Sequence, residues 1–400
     1  MSQSNCNRRA FLRFALACGV AAQCPRLAFA SAQTESRFVF VILRGALDGL
    51  AAAPALGDGD YSRIRGQLAI QSRIHNLDGF FALHPSMPHL FQLYRSRELA
   101  LIHATATPYR ERSHFDGQDV LEAGSNMHPV SADGWLNRVV SVLPGPTRAD
   151  DFAIALSPNI PLVLQGAAKV ASWAPSRLPN VDDDTLQRLA DLYARDEYLG
   201  ARLQSALATE ALGEQMNSSA GAPGPKNLQP LFEAAGRFLA AAAGPRIAVL
   251  ETTGWDTHAN QGAEEGMLAN RLGALDDALN ALRTSLGDAW KHSAVFVATE
   301  FGRTVAINGT RGTDHGTGTC AFLLGGAVNG GRVIADWPGL QSSALYEGRD
   351  LRPTTDLRAI LKGVLGDHLN ISEAELANVV FPNSHAVQPK EGLIRSRVVG

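Results

Sequence analysis

Phe38-Val39-Phe40-Val41-Ile42-Leu43, with Asp48 shortly beyond its end, is the stretch that decides how this chain folds. It is short, rich in β-branched and aromatic residues and free of polar interruption, as expected of a strand buried on both faces. Two further runs repeat the arrangement. Arg246-Ile247-Ala248-Val249-Leu250 leads to Glu251, Asp256 and His258. Ala294-Val295-Phe296-Val297-Ala298 leads to Glu300, Arg303 and Gly312-Thr313-Asp314-His315-Gly316. In open parallel α/β sheets, ligands sit beyond the carboxyl ends of the strands, where the loops converge. Three separate strand ends that deliver carboxylates and imidazoles therefore predict one shared metal site.

Working outward, residues 99–103, 153–156 and 319–324 are further strand candidates. Helical patterns lie at 87–95, 186–212, 228–243, 267–286, 357–369 and 373–380. Within 267–286, Leu268, Leu272, Leu275, Leu279, Leu282 and Leu286 recur at three- and four-residue steps, one face of a helix. Strands alternating with helices predict an α/β fold, a three-layer sandwich around a mostly parallel sheet. The Ser/Gly/Pro-rich segment 217–230 breaks the rhythm and reads as a surface linker or insertion, set around 214–230 in one domain spanning 31–400.

Residues 1–30 read as an address rather than as fold. Asn7-Arg8-Arg9-Ala10-Phe11-Leu12-Arg13 is a twin-arginine motif, an apolar stretch follows, and Ala28-Phe29-Ala30 is a small-x-small cleavage site. The apolar stretch is shorter than the roughly 20 residues needed to span a membrane. The chain is therefore expected to engage the twin-arginine translocase and to end in the periplasm or outside the cell. Cys6, Cys18 and Cys24 fall in the leader, so Cys320 alone remains and no internal disulfide is expected. The leader also carries Arg8, Arg9, Arg13 and Arg26 and no acidic residue, so the formal charge of −3 becomes −7 without it. That balance argues against nucleic acid or an anionic membrane as partner.

Asp256 and His258, two apart on a loop leaving a strand, are suited to binding one Zn²⁺, Mn²⁺ or Fe ion together; a helix-capping Asp beside an incidental His is the bland alternative. Glu300 abuts an apolar strand, where an unpaired carboxylate is costly, so it needs a metal or a cation such as Arg303. Arg303 alternatively suits an anionic substrate group. Asp314 and His315 sit in a Gly/Thr-rich turn, where glycine lets backbone approach an ion closely. Ser113, in Arg112-Ser113-His114-Phe115-Asp116, opens a helical pattern running through Val120-Leu121-Glu122. It is either a nucleophile in the positive end of the helix dipole or simply an N-cap.

Leu43-Arg44-Gly45-Ala46-Leu47-Asp48-Gly49, Arg112-Ser113-His114-Phe115-Asp116, Trp255-Asp256-Thr257-His258, Thr299-Glu300-Phe301-Gly302-Arg303 and Asp314-His315-Gly316, in this order, resemble the bacterial exported family known as domain of unknown function 1501. That family resembles, distantly, the alkaline phosphatase and sulfatase superfamily. The resemblance implies an alkaline-phosphatase-like fold and a metal-dependent hydrolase of phosphate, sulfate or phosphonate esters acting on a small anionic substrate. It implies Ser113 as nucleophile, Arg44 or Arg303 holding anionic oxygens, and Asp48, Asp256, His258, Glu300, Asp314 and His315 around one or two divalent ions (Zn, Mn or Ca/Mg). The superfamily's Asp-His step at one strand end reads Glu300-Phe301 here, one imidazole fewer. Ser113-His114-Phe115-Asp116-Gly117 also lacks the Pro/Ala and Arg that mark formylglycine formation. A non-catalytic exported scaffold that keeps the fold is the alternative.

Overall fold

The computed structural model describes residues 35–143, 152–175, 183–193, 196, 199–200, 203, 228–242 and 244–396. The expected leader and most of the expected linker lie outside the described residues. The chain builds a nine-stranded sheet. Its strands are β1 (Arg37–Arg44), β2 (Leu99–Ala106), β3 (Ala153–Ala155), β4 (Ala171–Ser172), β5 (Ile247–Thr253), β6 (Ser293–Ala298), β7 (Thr319–Leu324), β8 (Arg332–Ile334) and β9 (Thr355–Asp356). Their spatial order is β8-β2-β7-β6-β1-β5-β3-β4, with β9 also paired to β2. The helices that position the site and the core are α1 (Pro88–Arg95), α2 (His114–Ala123), α3 (Trp135–Val142), α4 (Asp183–Tyr193), α5 (Gln229–Ala240), α6 (Met267–Leu286) and α7 (Leu357–Leu369).

All pairings are parallel except those of β7, which runs antiparallel to both β2 and β6. The expected mostly parallel sheet is therefore present, with one reversed strand inside it. The three layers follow from β1 itself. Val39, Val41 and Leu43 face a core shared with Leu90 and Leu93 of α1, Phe232 and Phe238 of α5, and the leucine face of α6. Phe38, Phe40 and Ile42 face the opposite core, with Leu121 of α2, Trp135 and Val139 of α3, and Ile360 and Val364 of α7. Successive side chains of a strand point to opposite faces, so an unbroken apolar run must be covered on both sides.

The α6 boundaries match the leucine periodicity because Gly266 (φ 127°) and Gly287 (φ 54°) bracket it in backbone conformations that a helix cannot continue. The expected helix at 373–380 is divided. A capping box between Ser372 and Glu375 starts Glu373–Glu375, and Leu376–Val380 continues as a π-helix. Of the expected helix at 186–212, the described part is α4; most of the remainder lies outside the described residues.

One buried carboxylate makes stability depend on pH. Asp276, on α6, accepts the amide protons of His89 (2.9 Å) and Leu90 (2.8 Å) at the start of α1. Burial pushes its carboxyl up to about 6. A folded value above the unfolded one gives stability that is full below the unfolded pKa and is lost as pH rises through the folded one. Wild type measured against Asp276→Asn is therefore expected to lose relative stability between about pH 4 and pH 6.5, read from urea melts across that range. A flat difference would remove the effect.

Candidate metal centre

The centre forms where the loops after β1, β5 and β6 meet the start of α2. Gly45, just past β1, has φ 121°, and a Cβ there would lie 2.8 Å from the Asp256 backbone nitrogen. Only glycine lets the two loops touch. The Gly45 N–H donates to Glu300 Oε1 at 2.8 Å. Glu300, fully buried, also takes His114 Nδ1–H at 2.8 Å and Gln118 at 3.1 Å on the same oxygen, and the Thr299 hydroxyl at 2.8 Å on the other. Burial alone would raise its carboxyl, but these donors outweigh it and hold it below the usual carboxylate range.

The expected Glu300–Arg303 pair is thus replaced. His114 and Gln118, one helical turn apart on α2, occupy Glu300, while the buried Arg303 turns to Asp256 Oδ1 and to the hydroxyl and carbonyl of Thr313. Burial works against ionising Asp256, yet Arg303 holds its pKa below the ordinary value. The bond with Glu300 raises the His114 pKa, whereas burial, with the His114 charge next, lowers that of His315.

Three imidazoles converge on Asp256. His258 Nε2 lies 3.0 Å and His315 Nε2 3.2 Å from Oδ1, and His114 Nε2 3.4 Å from Oδ2. The Nε2 atoms of His258 and His315 are 3.0 Å apart. The outer Nδ1 of each ring faces an acceptor: Glu300 for His114, the Arg112 carbonyl for His315 (2.9 Å), and Asp314 for His258 (3.3 Å). Carbonyl and ionised carboxylate oxygens only accept, so each ring faces an acceptor at both nitrogens, and a cation among the Nε2 atoms with the protons on Nδ1 satisfies all of them. His114 Nε2 is buried with no hydrogen-bond partner.

The donor set fits a cation. Lone pairs and a carboxylate crowd one point, and a tetrahedral ion with bonds of about 2.0–2.1 Å would set its ligands about 3.3 Å apart. Each ring is also backed by an outer acceptor, the support that metal-binding histidines receive. His114, Asp256 and His315 offer one ligand atom apiece, all within 4.8 Å of one another. An imidazole-rich set suits Zn²⁺ better than Ca²⁺ or Mg²⁺, which favour oxygen donors.

The other expected residues take different places. Asp48 is buried at the start of the short helix Gly49–Ala52, where its Oδ2 accepts Arg65 Nη2 at 2.6 Å and Gln261 Nε2 at 2.7 Å. Where a metal ion was expected, its counter-ion is Arg65 of the chain. Asp314 accepts Asn308 Nδ2 at 3.0 Å besides His258, and its pKa is lowered mainly by that amide. Arg44 is held by Glu122 at 2.7 Å and by Glu251 and Gln118, so its guanidinium is spent within the chain. Glu300 supports His114 from behind. Ser113 is the N-cap residue of α2, but its side chain makes no capping hydrogen bond; it lies beside His114 and hydrogen-bonds the Tyr109 phenol instead. Phe301, buried, stacks on His114 with ring centroids 5.0 Å apart and contacts His315 at 5.4 Å, an apolar wall of the cluster.

Sequence reasoning quoted His114 within its motif and did not assign it a role. The available signal was its spacing from Gln118, four residues on and on the same helix face. Arg65 and Gln261 carried no local signal.

A mixed α/β sheet with a histidine–aspartate cluster at its strand ends is the class that fold and site define together. Residues 69–380 match the family model "Protein of unknown function (DUF1501)", and the chain belongs to that family. No curated protein matches it. Among solved structures it is similar to the C-terminal periplasmic domain of EcEptC from Escherichia coli, a complex with Zn (9% identity, 74% of each chain, TM-score 0.34). It is also similar to the lipoteichoic acid synthase LtaP from Listeria monocytogenes (10% identity, 90% of this chain and 78% of that one, TM-score 0.37). A third is the phosphonate monoester hydrolase of Agrobacterium radiobacter (12% identity, 84% and 74%, TM-score 0.34). Among the described residues no helix is long and apolar enough to cross a membrane.

Proposed function

We propose that this chain is an exported metal-dependent hydrolase of anionic esters, phosphate esters first, with sulfate and phosphonate esters as related substrates. The observation that carries the reading is the convergence of three Nε2 lone pairs on Asp256. His114, Asp256, His258 and His315 hold one Zn²⁺ or Mn²⁺. When bound there, the ion polarises an anionic ester group and lowers the pKa of a hydroxyl beside it. Glu300, the Arg112 carbonyl and Asp314 fix the rings. Arg303 keeps Asp256 ionised. Ser113, at the positive end of α2, would attack the ester phosphorus or sulfur as the alcohol leaves with a proton, and water would then cleave the seryl ester to release the anion and restore the hydroxyl. The leader takes the folded protein through the twin-arginine translocase to the periplasm or medium.

A second reading, a non-catalytic exported scaffold that keeps the cluster for structure, is favoured by one observation. Arg44 and Arg303, the expected anion-holding groups, are both paired with carboxylates. Elemental analysis of the exported protein, with a screen of phosphate, sulfate and phosphonate esters, separates the two. Stoichiometric metal, and turnover lost in Ser113→Ala with little change in Tm, is the result expected of the enzyme. Metal without turnover on any ester supports the scaffold, and a metal-free wild type overturns the hydrolase and leaves a binding or structural role.

A further inference from the structure

We infer that Asp350 is a positioning residue for His315, holding that ring with its Nε2 lone pair toward Asp256. The inference rests on reading the cluster as a cation site. Asp350 is fully buried. Its Oδ2 takes Arg112 Nε at 2.9 Å and Nη2 at 2.8 Å, and its Oδ1 takes Arg349 Nε at 2.8 Å. Both arginines then reach His315. The Arg112 carbonyl accepts the ring Nδ1–H at 2.9 Å, and Arg349 Nη2 donates to the His315 carbonyl. One carboxylate thus anchors the ring and the backbone of the same histidine.

The Arg112 backbone shows why an anchor is needed. Its φ of 65° is in the left-handed region, which a side-chain-bearing residue keeps only where its surroundings over-determine it. That conformation aims the carbonyl at His315. The exposed Glu347 also pairs with Arg112, but solvent screens such a contact, so the buried Asp350 carries the constraint. The carbonyl favours the proton on Nδ1, which leaves Nε2, 3.2 Å from Asp256 Oδ1, for a cation.

The test uses the full chain, ¹⁵N-labelled and metal-free, with ring tautomers read from long-range ¹H–¹⁵N correlations and His315 assigned through His315→Ala. Wild type is expected to show the Nδ1–H tautomer alone. Asp350→Asn is expected to give a tautomer mixture and about 10- to 100-fold weaker Zn²⁺ binding, the usual effect of losing an outer partner. Arg112→Lys keeps the charge and the carbonyl but loses the two-nitrogen grip, and is expected to shift the same way; it decides the matter if Asp350→Asn does not fold. Glu347→Gln is expected to leave the tautomer unchanged. A single Nδ1–H tautomer retained in both Asp350→Asn and Arg112→Lys would overturn the inference, as would an equal shift in Glu347→Gln. A wild type that takes up no Zn²⁺ sinks the cation reading instead, and the tautomer result still decides the role of Asp350.

Discussion

Asp48→Ala is expected to lower the unfolding free energy by about 3–5 kcal/mol, because it strands the Arg65 charge in the interior. The Arg65 side chain has 0% exposure and that of Asp48 2%, so water cannot replace the lost partner. Gln261 loses its acceptor at the same time. The cost comes from breaking the pair and not from any large net gain in forming it. Asp48→Leu combined with Arg65→Met is accordingly expected to recover most of the loss, since apolar side chains often replace a buried ion pair without penalty. Urea denaturation of wild type and the two variants measures this. Adding Zn²⁺ is expected to leave the Asp48→Ala deficit unchanged; a deficit that widens with Zn²⁺, because wild type gains stability that the variant does not, would instead return Asp48 to the role of ligand.

The second large effect concerns His114 and Glu300, whose roles the structure orders from inside to outside. Glu300→Gln is expected to weaken Zn²⁺ binding by about 10- to 100-fold, and His114→Ala by more than that. The amide keeps a hydrogen bond to the ring but gives up the charge that raises the His114 pKa. Competition with a chelator gives both affinities in one series. The reverse order, with Glu300→Gln the more damaging, would make the carboxylate the ligand and the imidazole its support.

How much of this was legible in the chain depended on whether the signal was local. The six apolar runs all contain strands, because burial on both faces selects short, unbroken apolar segments rich in β-branched and aromatic residues. Direction left no such mark: β7 is as apolar as β6 and runs the other way. The ends of α6 and the C-terminal end of α7 were readable from Gly266, Gly287 and Asn370, since periodicity and stop signals coincide there. At the centre, Asp256, His258 and His315 were found from residue type and strand-end position. Glu300 and Asp314 were placed near the centre, but their tasks depend on the neighbours they meet, and those neighbours lie 186 and 56 residues away in sequence. Asp48 met Arg65, and Arg44 met Glu122 and Glu251, because charge pairing across the fold is invisible to local pattern.

The parallel pairing of β5 with β1, Phe38 opposite Ile247 through Arg44 opposite Thr253, has a consequence for how assembly can be followed. A slip of one residue would turn every β5 side chain to the wrong face and carry the Asp256 loop away from α2. The rings of His114 and His315, 4.3 Å apart, come from segments on opposite sides of β5 in the chain. Their proximity follows from the pairing of β2, which leads toward α2, with β7, which begins just after His315, so a signal between the two histidine rings reports that this part of the sheet has closed.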